Sequence, residues 1–147
     1  MEEGMKKVYV AGKLNADAVG YLHNCHKMIN TAELLREAGY SVFVPCLDLI
    51  MGIAFGWDSY EEYFNNSQPW LKASDAVFLV PGWETSKGTI REINTAFENK
   101  IPVFDRLDEM WQHFEGIPGG VIVSLDIDDD GNVSGVKKER NTPDYIK

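Results

Sequence analysis

Residues 76–80 read Ala-Val-Phe-Leu-Val, an apolar run with no polar residue to turn toward water. A strand with one wet face alternates; a strand that does not is covered on both faces, as in parallel sheets flanked by helices. Other short apolar runs recur along the chain: "VYV" at 8–10, "YSVFVP" at 40–45, "IPVF" at 101–104 and "GGVIVSL" at 119–125. Between them the periodicity becomes helical. From about Asp17 to Ala38, Leu22, Cys25, Ile29, Ala32 and Leu35 recur at spacings of three or four, and Gly39 stands where a helix C′ residue belongs. "GTIREINTAFENK" and "LDEMWQHFEG" predict two more helices, "SYEEYF" a short one, and "SQPWLKASD" another brief one with Ser67 as N-cap and Pro69 in its first turn.

Alternating strands and helices with short connections predict one α/β domain. The expected fold is a flavodoxin-like or Rossmann-like three-layer sandwich around a mainly parallel sheet of five strands. Residues 1–125 carry it, and 126–147 form a polar extension of the same domain that frays or adds a hairpin. "DIDDDGN" at 126–132 imitates the start of a calcium loop, but the twelfth position is Lys137 where a bidentate Glu belongs, so an Asp-Gly hairpin turn is the better reading.

The 147 residues carry 14 basic and 23 acidic side chains, a net charge of −9, so no broad basic field exists for a nucleic acid polymer or an anionic membrane. No basic-then-apolar leader and no apolar run near ~18 residues is present, which points to a cytoplasmic protein. Cys25 and Cys46 are then expected as buried thiols. His23 and His26 stand three apart on a helix without further metal ligands, so no metal is expected.

In open parallel sheets ligands bind beyond the carboxyl ends of the strands. Three segments reach that place: "AGKLN", "PCLDLIMG" and "PGWETSKGT". Ser86, Lys87 and Gly88 open a helix, where unpaired amides and the dipole favour an anion. Glu92 lies one turn deeper on the same side, close to whatever the turn binds, although a Glu there also complements the helix dipole. Lys13 is placed to contact a phosphate or to be a surface lysine. Trp83 is placed to stack on a base or to meet another subunit, and Trp70 is assigned to the core. Asp75 anchors the start of its strand, at the end opposite the site.

The order "VYVAG" … "WLKASDAVFLV" … "SKGTIRE" … "IPVF" resembles the nucleoside 2-deoxyribosyltransferase superfamily, over roughly residues 7 to 104. That superfamily includes 2′-deoxynucleoside 5′-phosphate N-hydrolases and small, often phage-encoded relatives with a "PGWExSxG" turn. The resemblance implies that Glu92 attacks the anomeric carbon, that Ser86 binds the phosphate or sugar, that Tyr9 places the nucleophile and that Gly12 lets the ligand pack on the first turn. It implies a nucleotide or nucleoside as partner, no cofactor and a homo-oligomer. The chain departs from the family where the hydrolases carry an Asp before "WL": Ser67 stands there, and Asp48 or Asp58 would have to substitute from the middle loop. Two functions follow as expectations. One is cleavage of an N-glycosidic bond, by hydrolysis or base transfer; the other is a nucleotide-binding module with the same pocket and no reaction.

Overall fold

A computed structural model describes residues 4–141. The end of the expected polar extension, 142–147, lies outside the described residues. Strands β1 (Lys7–Ala11), β2 (Ser41–Phe43), β3 (Ala76–Leu79), β4 (Val103–Phe104), β5 (Gly119–Ile127) and β6 (Val133–Asn141) are joined by five helices. These are α1 (Ala18–Glu37), α2 (Asp48–Phe55), α3 (Tyr60–Lys72), α4 (Lys87–Glu98) and α5 (Leu107–Phe114). The strands form one sheet in the order β2-β1-β3-β4-β5-β6. β2, β1, β3 and β4 run parallel, β5 runs antiparallel to β4, and β6 antiparallel to β5.

The unbroken apolar character of β1 and β3 has the expected cause. Val8 and Val10 pack with Met28, Ala32 and Leu35 of α1 on one face. Tyr9 and Ala11 pack with Leu71 of α3 and Ile93 and Ala96 of α4 on the other. At the start of the pair, the Lys7 N–H donates to Asp75 Oδ2 at 2.7 Å, so Asp75 is the anchor the sequence suggested. Asp17 caps α1 by accepting the Gly20 N–H at 2.7 Å, and Gly39 takes φ 103° just past the helix end, where a Cβ would be strained.

Several expectations change. The sheet has six strands rather than five, and its last two form an antiparallel edge hairpin, because an apolar run marks a strand without giving its direction. β2 is a half-buried edge strand of three residues rather than a buried one. On α1 the buried stripe runs Cys25, Met28, Ala32, Leu35; Leu22 and Ile29 are exposed, Ile29 lying about 100° round from Met28. The irregular middle contains α2, and "SYEEYF" and "SQPWLK" are one helix. Ser67 therefore sits inside α3, its hydroxyl directed at the Phe64 carbonyl at 3.4 Å, and caps nothing. Trp70 is 56% exposed, the outer ring of a stack Tyr9–Phe43–Trp70 with both centroid spacings 5.5 Å.

The hairpin joining β5 to β6 turns through Asp128–Asn132, whose tip is held by Asp128 accepting the N–H groups of Asp130 and Asn132. Lys138 of β6 bridges Asp105 at 2.6 Å and Glu109 at 2.8 Å, fastening this edge to α5. Among the described residues no helix is long and apolar enough to cross a membrane.

Ile93 is fully buried between α4 and the sheet. Ile93→Ala is expected to lower stability by about 2–5 kcal/mol, read as a lower urea midpoint with an unchanged slope.

Candidate functional site

The chain leaves β1 toward β2 on one side and returns to β3 on the other, so strand order reverses between β1 and β3. Beyond the carboxyl ends of those strands lies a cleft of about 910 Å³. Gly12 and Lys13 reach it from β1, Asp48 from the segment after β2, and Ser86, Lys87, Gly88 and Glu92 from the segment after β3. Asp58 lies exposed at its rim.

Ser86 is the N-cap of α4. Its Oγ accepts the Thr89 N–H at 3.2 Å and the Thr89 hydroxyl at 2.9 Å, which leaves its own proton to donate outward. Lys13 donates to Thr85 Oγ1 at 3.4 Å, and Lys87 donates to the Asp130 carbonyl in the β5–β6 turn at 2.9 Å. Two ammonium groups are thus held near the start of α4, where the helix dipole favours negative charge.

Glu92 enters the cleft half-buried from the second turn of α4. Burial pushes its carboxyl up to about 7, with the Tyr9 hydroxyl pulling the other way. Tyr9 is fully buried, and its hydroxyl makes no hydrogen bond of ordinary geometry among the described residues. Burial raises it well above the usual phenol value, and the neighbouring Glu92 charge adds to that. The pair thus sets a buried phenol hydroxyl beside a half-buried carboxyl that lines the cleft.

Residues 6–105 match the family described as a domain of unknown function, DUF4406. The chain belongs to the DUF4406 family. A search of solved structures finds a likeness to the 2-deoxyribosyltransferase of the psychrotolerant bacterium Bacillus psychrosaccharolyticus. It is 23% identical, covers 66% of this chain and 69% of that one, and has a TM-score of 0.51. No curated protein matches the sequence. The likeness agrees with the expected Rossmann-like sandwich; at this identity it shows the fold alone.

One expected site residue is displaced in this DUF4406 protein. Trp83 is only 2% exposed and packs with Tyr9, Leu79 and Ile93, so it neither stacks on a base nor meets a subunit. Gly82, at φ 93°, turns the chain so that the following 3-10 turn tucks the indole inward. The two glycines have packing reasons of their own. A Cβ on Gly12 would come within 2.7 Å of Val80, and one on Gly88 within 3.0 Å of the Tyr60 hydroxyl.

The DUF4406 cleft also has an aromatic wall that sequence reading left unassigned: Tyr21, Trp57, Tyr60 and Tyr63. Trp57 and Tyr63 meet edge to face at 5.1 Å. The signal lay in the spacing of Tyr60 and Tyr63, which share one face once α3 is known to start at Tyr60. Arg91, stacked 3.6 Å over Phe64 and paired with Glu61 at 2.6 Å, borders the same cleft. Among the described residues no group of three or more His, Cys, Asp or Glu could hold a metal; His23 and His26 are exposed and Cys25 is buried.

A carboxyl raised on folding favours the folded state below its unfolded value, and that contribution is lost as pH rises through the folded value. Glu92 therefore weighs against folding above about pH 7. Glu92→Gln is expected to be more stable than the wild type at pH 8, by about 1–3 kcal/mol, with the gain vanishing toward pH 4, as followed by thermal unfolding across pH.

Proposed function

We propose that this chain cleaves the N-glycosidic bond of a deoxynucleoside 5′-monophosphate, with Glu92 as nucleophile. The observation that carries the reading is a buried Tyr9 hydroxyl beside a Glu92 carboxylate that opens into a nucleotide-sized cleft. The Ser86 hydroxyl, the first amides of α4 and the ammonium groups of Lys13 and Lys87 hold the phosphate. That fixes the anomeric carbon over Glu92.

Cleavage builds positive charge on the sugar. Ionised Glu92 attacks the anomeric carbon, the bond to nitrogen breaks, and its electron pair leaves with the base, which takes a proton. Water then cleaves the glycosyl ester and restores Glu92. A second base in place of water would make the reaction a transfer; the suitability of the α4 terminus for a phosphate favours hydrolysis of a monophosphate. The Tyr9 hydroxyl lies beside the carboxylate and favours its charged form against the larger effect of burial.

One feature favours a second reading, a nucleotide-binding module without chemistry. Ser67 is buried with its hydroxyl directed at the Phe64 carbonyl, at the position where the superfamily hydrolases carry an Asp. In either case the chain is a homo-oligomer, supported by Ile50, Ile53 and Phe55 of α2, which are each more than 70% exposed.

Free-base release from a panel of ribo- and deoxyribonucleosides and their 5′-monophosphates tests the reading. Release is expected from deoxynucleoside monophosphates, rising with pH through about 7 as Glu92 ionises. Glu92→Gln is expected to lower it at least about a thousandfold. No release from any panel member, with a nucleotide still raising the melting temperature, would establish the binding module instead.

A further inference from the structure

Asp48 is 8% exposed, yet it lines the cleft. It opens α2, where the helix dipole favours its ionised form. Asn66 Nδ2 donates to its Oδ2 at 3.4 Å, and among the described residues Oδ1 has no donor. Burial raises its carboxyl above the usual range while Asn66 acts against that, and Oδ1 is left for a partner in the cleft.

Its surroundings match one kind of ligand. Tyr21, Trp57 and Tyr63 line the same cleft as Asp48, and Trp57 packs edge-on to Tyr63. Aromatic faces beside a carboxylate edge suit a flat ring that carries an exocyclic amino group. A carboxylate accepts from that group and repels the carbonyl oxygen that replaces it in uracil and hypoxanthine. Ser86, Lys87 and Gly88, to which the phosphate is assigned above, line the same cleft from a different element, α4 and its N-cap. We propose that Asp48 reads an exocyclic amino group of the nucleobase, so that the cleft selects cytosine and adenine over uracil and hypoxanthine. This rests on the nucleotide reading given above but not on the reaction.

The test separates the two. Binding is measured by calorimetry in a Glu92→Gln background, where the ligand survives, with the matched pairs dCMP and dUMP, and dAMP and dIMP. The amino-bearing member is expected to bind about tenfold to a hundredfold tighter, the weight of a hydrogen bond to a charged group. In Asp48→Asn, Asn66 donates to the new amide oxygen and leaves its NH₂ facing the cleft, a donor where an acceptor stood. The preference is then expected to reverse toward dUMP and dIMP, which a merely structural role for Asp48 would not produce. Equal binding within both pairs, no binding of any of the four, or an equal weakening of both members by Asp48→Asn overturns the proposal. A reversed preference without base release from the unsubstituted protein would refute the reaction alone, and release without preference would refute this inference alone.

Discussion

β1 and β3 lie side by side with both faces covered, and the geometry of the cleft follows from that pairing. The register sets Val8 against Ala76 and Ala11 against Leu79, so the two strands end together. Alternation along β1 sends Val8 and Val10 toward α1 and Tyr9 toward α3 and α4. A tyrosine on that face has nowhere to place its hydroxyl except under the start of α4, where Glu92 comes down. The polar pair is thus a by-product of hydrophobic layering, and its dryness is what lifts the Glu92 carboxyl toward neutrality.

The same layering explains what could be read from the sequence. Residues whose neighbours are local announced themselves. The helix starts near Asp17 and Ser86, the Asp-Gly turn and the unbroken run of β3 depend on a few adjacent positions. Glu92, Ser86, Gly12 and Lys13 came together because the topology of a parallel sheet brings the strand ends to one place. Trp83 and Trp70 were read the wrong way round because an indole looks the same in sequence whether it is tucked inward or left as the outer ring of a stack. Which occurs is decided by Gly82 at φ 93° for Trp83, and for Trp70, on α3, by the ring of Phe43 from β2. The helix α2 was hidden for a related reason: "DLIMGIAF" is apolar all round, with no period to betray it.

The aromatic wall and Asp48 show how little of a specificity surface is visible before folding. Tyr21 comes from α1, Asp48 from α2, Trp57 from a loop and Tyr63 from α3. None belongs to a spaced motif with any other, and only the closing of the sheet brings them together. By contrast, the residues assigned to the bond-breaking chemistry sit on β1 and α4, two elements packed directly on each other. A fold of this kind can keep one half of its cleft constant and vary the other.

Lys87 has one more implication. It stands at the first position of α4, yet the carbonyl that holds its ammonium belongs to Asp130, 43 residues later, in the turn between the last two strands. Proteins are made from the amino end, and helices and short crossovers can settle as they emerge. Here the four parallel strands precede in sequence the turn that holds Lys87. A chain that lacked the β5–β6 turn would leave the Lys87 side chain without the carbonyl that holds it, so one wall of the cleft depends on a contact made from the far end of the sequence.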